Sequence, residues 1–201
     1  MNLDTVRKTF TDWAPFYNPT HGWTLPKRRA ARLALELRPG DRVLDLACGT
    51  GLNFPHLREL VGERGGVTGV DLTPAMLDIA RKVIETRGWK NVELQEADAA
   101  NLPFPDASFD KVIVSFALTI IPEPVKALEE IWRVLVPGGR FVALEMRAGI
   151  HSLPAWLQPL PHICAVDMRH DTLHEMRSVF GTVEVKNYWF GMIFVAVATK
   201  K

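Results

Sequence analysis

The stretch Val43-Leu44-Asp45-Leu46-Ala47-Cys48-Gly49-Thr50-Gly51 constrains this 201-residue chain more than any other part of it. An apolar run that breaks into small residues reads as a buried parallel strand opening into a tight turn before a helix. Gly69-Val70-Asp71 returns to the pattern about one βαβ unit later, again with a carboxylate. Gly49 and Gly51 lack a Cβ, so a ligand can lie against their backbone and use amide donors near the next helix N-terminus. Asp71 ends its strand where a carboxylate accepts both hydroxyls of a ribose, and Asp45 is placed to meet an ammonium group directly or through water. The two acids together point to a nucleoside that also carries positive charge.

The turn is not built for pyrophosphate. Leu52, Asn53 and Phe54 follow Gly51, so no Gly-x-Gly-x-x-Gly forms, and a phosphate-cradling Gly-Lys-Ser/Thr is absent. Strands are expected at about 42–46, 67–71, 91–95, 110–116 and 140–146. Between them, Thr73-Pro74 reads as an N-cap with proline at the first helical position. Val125, Leu128, Ile131, Trp132 and Leu135 make a helical apolar stripe ended by Pro137-Gly138-Gly139. Alternating elements of this kind give an α/β fold, a mostly parallel sheet with helices on both faces. A closing pair at about 182–189 and 191–199 meets near Gly191 tightly enough for a hairpin, so the seventh and last strand should run antiparallel.

Composition excludes several classes. With 47% hydrophobic and 23% charged residues the chain can bury a full core as one domain. A net charge of +1 gives no global attraction to nucleic acid. Two cysteines, Cys48 and Cys164, suggest a reducing compartment without a disulfide framework. Met1-Asn2-Leu3-Asp4 carries no signal-peptide pattern, and no apolar run approaches the roughly 18 residues of a membrane span, so a cytoplasmic location is expected.

From Arg42 to Met146 the chain resembles class I S-adenosylmethionine-dependent methyltransferases of the ubiquinone/menaquinone-methyltransferase-like "type 11" group. Six blocks in order carry the resemblance: Val43 to Gly51, Gly69 to Met76, Gln95 to Ala99, Leu102-Pro103-Phe104 with Ser108-Phe109-Asp110, Val112 to Leu118, and Leu135 to Gly139. Ala47 departs from the pattern, since many relatives have Gly there. The resemblance implies a Rossmann-like fold and S-adenosyl-L-methionine as cofactor. It places Asp45, Ala47, Gly49 and Gly51 beside the methionine moiety, Asp71 on the ribose hydroxyls, and Leu72 and Met76 over an adenine face. Asp98 would accept the adenine amino group with Ala99 beside the ring, and Ser115 and Phe116 would sit near the transferable methyl.

The acceptor must be read outside this core. The expected division is an N-terminal helical lid (1–41), the cofactor core (42–146), a substrate cap (147–180) and a C-terminal hairpin (181–201). Val6, Phe10 and Trp13 recur at helical spacing, which suits either a packed helix or a lid over the cofactor. Tyr17 matches a tyrosine that related enzymes bring to the active site, although Asn18 stands where relatives often have Asp. Lys27-Arg28-Arg29 with Arg32 is the densest basic cluster, read as a solvated helix face or as a contact with anionic lipid headgroups. Leu153 to Pro161 holds three prolines and suits an apolar cap. Asp167, His170 and His174 would share a helical face, but nothing completes a zinc site there, so no metal is expected.

A sulfonium methyl is already activated, so in-line placement of a nucleophile supplies much of the acceleration. Tyr17, Ser115 and His151 are the candidate catalytic or orienting groups, with His170 as a further histidine. The Trp13 to Tyr17 segment, the basic helix and the Phe190-Gly191-Met192 hairpin resemble bacterial phospholipid N-methyltransferases, which implies phosphatidylethanolamine as acceptor and peripheral contact with an anionic membrane. C-methylation of a quinone precursor is the alternative, because apolar aromatic caps suit a prenylated ring. Other small-molecule N- or O-methylation and a cofactor-binding protein without transferase activity complete the set.

Overall fold

Both faces of the strand Arg42–Leu46 (β1) are covered, with Val43, Leu44, Asp45 and Leu46 all buried. The computed structural model describes residues 2–21, 24–147 and 171–201. Among them, six further strands complete one sheet: β2 (Gly66–Asp71), β3 (Val92–Glu96), β4 (Phe109–Ser115), β5 (Leu135–Met146), β6 (Glu184–Tyr188) and β7 (Ile193–Thr199). The order across the sheet is β3-β2-β1-β4-β5-β7-β6. β1 to β5 pair in parallel, and β7 runs antiparallel to both β5 and β6. This is the expected Rossmann-like α/β sheet with an antiparallel last strand.

The helices are α1 (Leu3–His21), α2 (Leu25–Ala34), α3 (Phe54–Val61), α4 (Pro74–Arg87), α5 (Pro124–Val134) and α6 (Thr172–Phe180). Side chains alternate across a strand, so β1 sends Leu44 and Leu46 to one face and Val43 and Asp45 to the other. On the first face, Leu44 and Leu46 join Val112, Val114, Phe141 and Ala143 against Leu128 and Ile131 of α5 and Met176 and Phe180 of α6. On the second, Val43, Ile113, Val142 and Leu144 meet Ala31 of α2 and Leu35 at its C-cap, Leu57 of α3 and Leu77 of α4. Asp45 therefore projects toward the side covered by α2.

One local expectation needs correction, and another is met with a difference in detail. β5 begins at Leu135 and not near residue 140, because Leu135 pairs with Phe109 across a register shift before regular pairing resumes at Arg140. Thr73 holds the N-cap position of α4 with Pro74 at its first position, as expected, and makes no side-chain cap bond. Its backbone N–H and its hydroxyl are turned to Asp71 instead. Among the described residues, no helix is long and apolar enough to cross a membrane.

Candidate active site

The carboxyl ends of β1, β2 and β4 open into a cleft of about 680 Å³, solvent-facing space included, a size suited to a small ligand. That edge is where open α/β sheets present ligand sites. Ala47 and Gly49 line it from β1, Asp71 and Leu72 from β2, Met76 from α4, Asp98 and Ala99 from the turn after β3, and Ser115 and Phe116 from the end of β4. Leu3, Val6, Phe10 and Tyr17 of α1 form a further wall. The lid reading of the N-terminal stripe thus fits the geometry, while Trp13 is half-buried outside the cleft lining.

Asp71 organises two loops. Its Oδ2 accepts the Gly49 N–H at 2.8 Å and its Oδ1 accepts the Thr73 N–H at 2.9 Å. Burial pushes the carboxyl up from its ordinary value, and these amide donors pull it back toward the charged form. Each oxygen keeps acceptor capacity toward the cleft.

Asp45 is buried below this wall. Asn53 Nδ2 donates to Asp45 Oδ1 at 3.2 Å and to Ser115 Oγ at 3.3 Å, so one amide joins the ends of β1 and β4. Asn53 Oδ1 in turn accepts from Arg28 Nη1 at 3.4 Å, and Arg28 Nε donates to Thr24 Oγ1 at 3.1 Å. The second carboxylate oxygen of Asp45 is buried without a partner among the described residues. Desolvation raises its pKa to about 7, against the opposing effects of Asn53 and Arg28. A carboxylate in that state is matched by a ligand that brings its own cationic donor.

Arg28 and Arg32 are buried, which corrects the reading of the basic cluster as one solvated or headgroup-facing surface. They sit four residues apart on the inner face of α2, in line with Ala31 and Leu35, opposite the face that carries Asp45. Burial and the neighbouring Arg28 lower the Arg32 pKa to about 10. Arg29 remains exposed, and Lys27 lies over the Tyr188 ring at 4.6 Å.

Phe116 holds a left-handed backbone, φ +57°, a strained state for a bulky residue beside a ligand site. Glu145, fully buried at the end of β5, fixes that loop by accepting the Ala117 and Leu118 N–H groups on Oε1 at 2.8 and 2.9 Å. The Phe116 N–H bonds the Leu144 carbonyl at 2.7 Å, and Arg28 lies 5.6 Å from the Phe116 ring centre. Burial raises the Glu145 pKa to about 7.

Gly51 does not line the cleft. At φ +80°, a Cβ there would stand 2.5 Å from the Phe54 ring, so its glycine is required by Phe54 packing. Tyr17 lies over Gly49, and its phenol pKa is raised by burial although Arg28 beside it acts the other way. Asn18 Oδ1 accepts from the Thr50 hydroxyl, giving the lid a second tie to the turn. His151, the proline-rich cap, Asp167 and His170 lie outside the described residues. Sequence reasoning missed Asn53, Glu145 and the inward role of Arg28. Asn53 carried a signal as the one polar residue in the Leu52-Asn53-Phe54 run after the turn, and Arg28 one in its helical spacing to Ala31 and Leu35.

The model of the ubiE/COQ5 methyltransferase family matches residues 23–155. The chain is 48% identical over 122 residues to the demethylmenaquinone methyltransferase of Thermus thermophilus, a match covering 59% of this chain and 53% of that protein. It is 32% identical over 160 residues to the demethylmenaquinone methyltransferase of Listeria welshimeri, covering 77% of this chain and 67% of that one. The fold is shared with a SAM dependent methyltransferase from Aquifex aeolicus, at TM-score 0.72 and 21% identity over 100% of both chains. The chain therefore belongs to the ubiE/COQ5 methyltransferase family, within the class I S-adenosylmethionine-dependent methyltransferases.

Proposed function

We propose that the chain methylates a ring carbon of a demethylated quinol with a lipophilic tail. The observation that carries this reading is the similarity to two demethylmenaquinone methyltransferases. The mostly apolar wall of Leu3, Val6 and Phe10 with Ile120 and Ile121 supports an apolar acceptor. The inward turn of Arg28 and Arg32 removes two of the four cations that suggested a phospholipid headgroup, so phosphatidylethanolamine N-methylation becomes the second reading.

Bound S-adenosyl-L-methionine supplies an electrophilic methyl on a sulfonium. The residues present suit it: Asp45, buried beneath the cleft and outside its lining, would meet the ammonium directly or through water with its unpartnered oxygen, Asp71 would turn its remaining lone pairs to the ribose, and Asp98 and Ala99 would face the adenine edge. Leu72 and Met76, which line the cleft, would flank the base, and Gly49 and Ala47 would border the methionine end. Ser115 and Phe116 would stand at the reacting end, Ser115 tied by Asn53 and the loop after Phe116 by Glu145 through the Ala117 and Leu118 amides. A raised pKa keeps the Tyr17 phenol protonated near neutral pH, so it serves as a hydrogen-bond donor to an acceptor oxygen and not as a base. Orientation of the acceptor carbon in line with the methyl is the main source of rate.

Methyl transfer from radiolabelled S-adenosylmethionine into a short-tailed demethylated naphthoquinol, run beside phosphatidylethanolamine in mixed micelles, tests the reading. Label in the quinol supports it. Label confined to the headgroup would transfer the conclusion to the lipid.

A further inference from the structure

The turn between β6 and β7 holds aromatic residues in an unusual state. Phe190 is fully exposed at 109%, with Met192 and Trp189 about half exposed beside it. Trp189 and Phe190 both have left-handed backbones, φ +48° and +53°, which aromatic side chains adopt only at a cost. The fold thus spends strain on a turn that pushes a phenyl ring into solvent.

Cations ring this tip. Lys27 Nζ lies 4.6 Å from the Tyr188 ring centre and 5.6 Å from that of Trp189, and Lys186 Nζ lies 5.8 Å from Tyr188. Arg147 donates to the Gly191 carbonyl at 3.2 Å and to Asn187 Oδ1 at 3.0 Å. Among the described residues, none of the three cations forms an ion pair with a carboxylate. Glu184, the acid of this hairpin, starts β6 opposite Val197, at the end away from the tip. The position also matters. Ile193 pairs with both Tyr188 and Met146, so the tip stands at the carboxyl end of β5, on the same edge as the cleft.

We propose that the Trp189–Met192 turn, ringed by Lys27, Lys186 and Arg147, is a docking surface for an anionic lipid bilayer that sets the cleft edge toward the membrane. Exposed aromatic and thioether groups enter the interfacial layer while cations beside them meet anionic headgroups. The inference rests on the reading of a lipophilic acceptor, which such docking would deliver to the cleft without crossing water.

Co-sedimentation of the 201-residue chain with phosphatidylcholine vesicles, with and without phosphatidylglycerol, tests the surface. The protein should pellet with the anionic vesicles, less with the neutral ones, and be released by salt. Phe190→Asn keeps a residue tolerant of the left-handed backbone and should lower partitioning about tenfold or more. Lys27→Gln and Lys186→Gln should each lower it about fivefold. All three variants should bind S-adenosylmethionine as the parent does, which separates lost docking from lost folding. Absence of pelleting by the parent, or pelleting indifferent to Phe190→Asn, overturns the proposal. So does a dimer in ultracentrifugation that Phe190→Asn dissolves while vesicle binding is absent, since the tip would then hold a second copy. Anionic vesicle binding lost in Phe190→Asn upholds the surface even where no quinol is methylated; that second result would sink the acceptor reading alone.

Discussion

Arg7 reaches across 89 residues of sequence to bond Glu96, Nη2 to Oε1 at 2.9 Å, and its Nε donates to the Leu72 carbonyl at 3.3 Å. One side chain of α1 thereby holds the cleft rim at the ends of both β2 and β3. Both partners are half exposed, so Arg7→Ala should cost less than about 1 kcal/mol of stability. The same change should speed S-adenosylmethionine dissociation several-fold, because the α1 wall loses one tether. Stopped-flow displacement checks this, and an unchanged off-rate would mean that α1 does not gate the cofactor.

Asp71→Ala removes a cleft-lining acid and also frees the Gly49 and Thr73 amides. Cofactor affinity should fall by roughly 1.5–3 kcal/mol, the worth of hydrogen bonds to a charged group. Calorimetric titration measures it, and unchanged affinity would displace the ribose from this strand end.

Asp45 and Glu145 both have folded-state pKa values raised to about 7 by burial. Above the ordinary carboxylate range near 4 the unfolded chain has released these protons while the folded chain retains them. Stability of the ligand-free protein should therefore fall as pH rises from about 4 to about 7. Asp45→Asn should flatten part of that fall. A cationic ligand opposite Asp45 favours its ionised form, so the thermal shift given by S-adenosylmethionine should grow with pH across this window. A pH-independent shift in scanning fluorimetry would place the ammonium elsewhere.

Ala47 sits at φ +54°, where an L-residue is strained. Ala47→Gly should raise stability by about 1 kcal/mol in urea denaturation, less the entropy glycine gains when unfolded. A loss would show that the methyl packs better than the backbone suffers.

A Cβ at Gly69 would collide with the end of the Phe54 ring and crowd Cys48 Sγ at 3.0 Å. Gly69→Ala should cost roughly 1–3 kcal/mol by overpacking. Phe54→Leu in the same chain should recover part of this, so the pair should couple in a double-mutant cycle. Strict additivity would count against a shared contact.

The sheet was legible because its signals are local: apolar runs, small-residue turns and the near-symmetric ends at Asp45 and Asp71. The start of β5 was not, because Pro137-Gly138-Gly139 has the chemistry of a loop. Its pairing depends on distant residues: Leu135 pairs with Phe109, and the Lys200 backbone donates to the Gly139 carbonyl at 2.9 Å and accepts the Gly138 N–H at 2.8 Å. Most residues expected to border the cofactor line the cleft, since family blocks map onto strand ends. Arg28 and Arg32 misled for a physical reason. Arg28, Ala31, Arg32 and Leu35 follow the spacing of a buried helical stripe, but a charge is read as facing water unless its partner is known. Asp45, with Asn53 between it and Arg28, comes from another element. Glu145 was hidden likewise, since its partners are backbone amides that no side-chain pattern reports.

The placement of β7 between β5 and β6 bears on how the molecule is made. Ile193–Thr199 is later in sequence than every other strand, yet it occupies an interior position of the sheet and is largely buried. On a ribosome, β5 keeps an open edge of unpaired amides and carbonyls, and β6 has no neighbour, until these seven residues emerge. The nascent chain thus carries an association-prone edge over the stretch made between Met146 and Ile193, and closure of the sheet waits on β7.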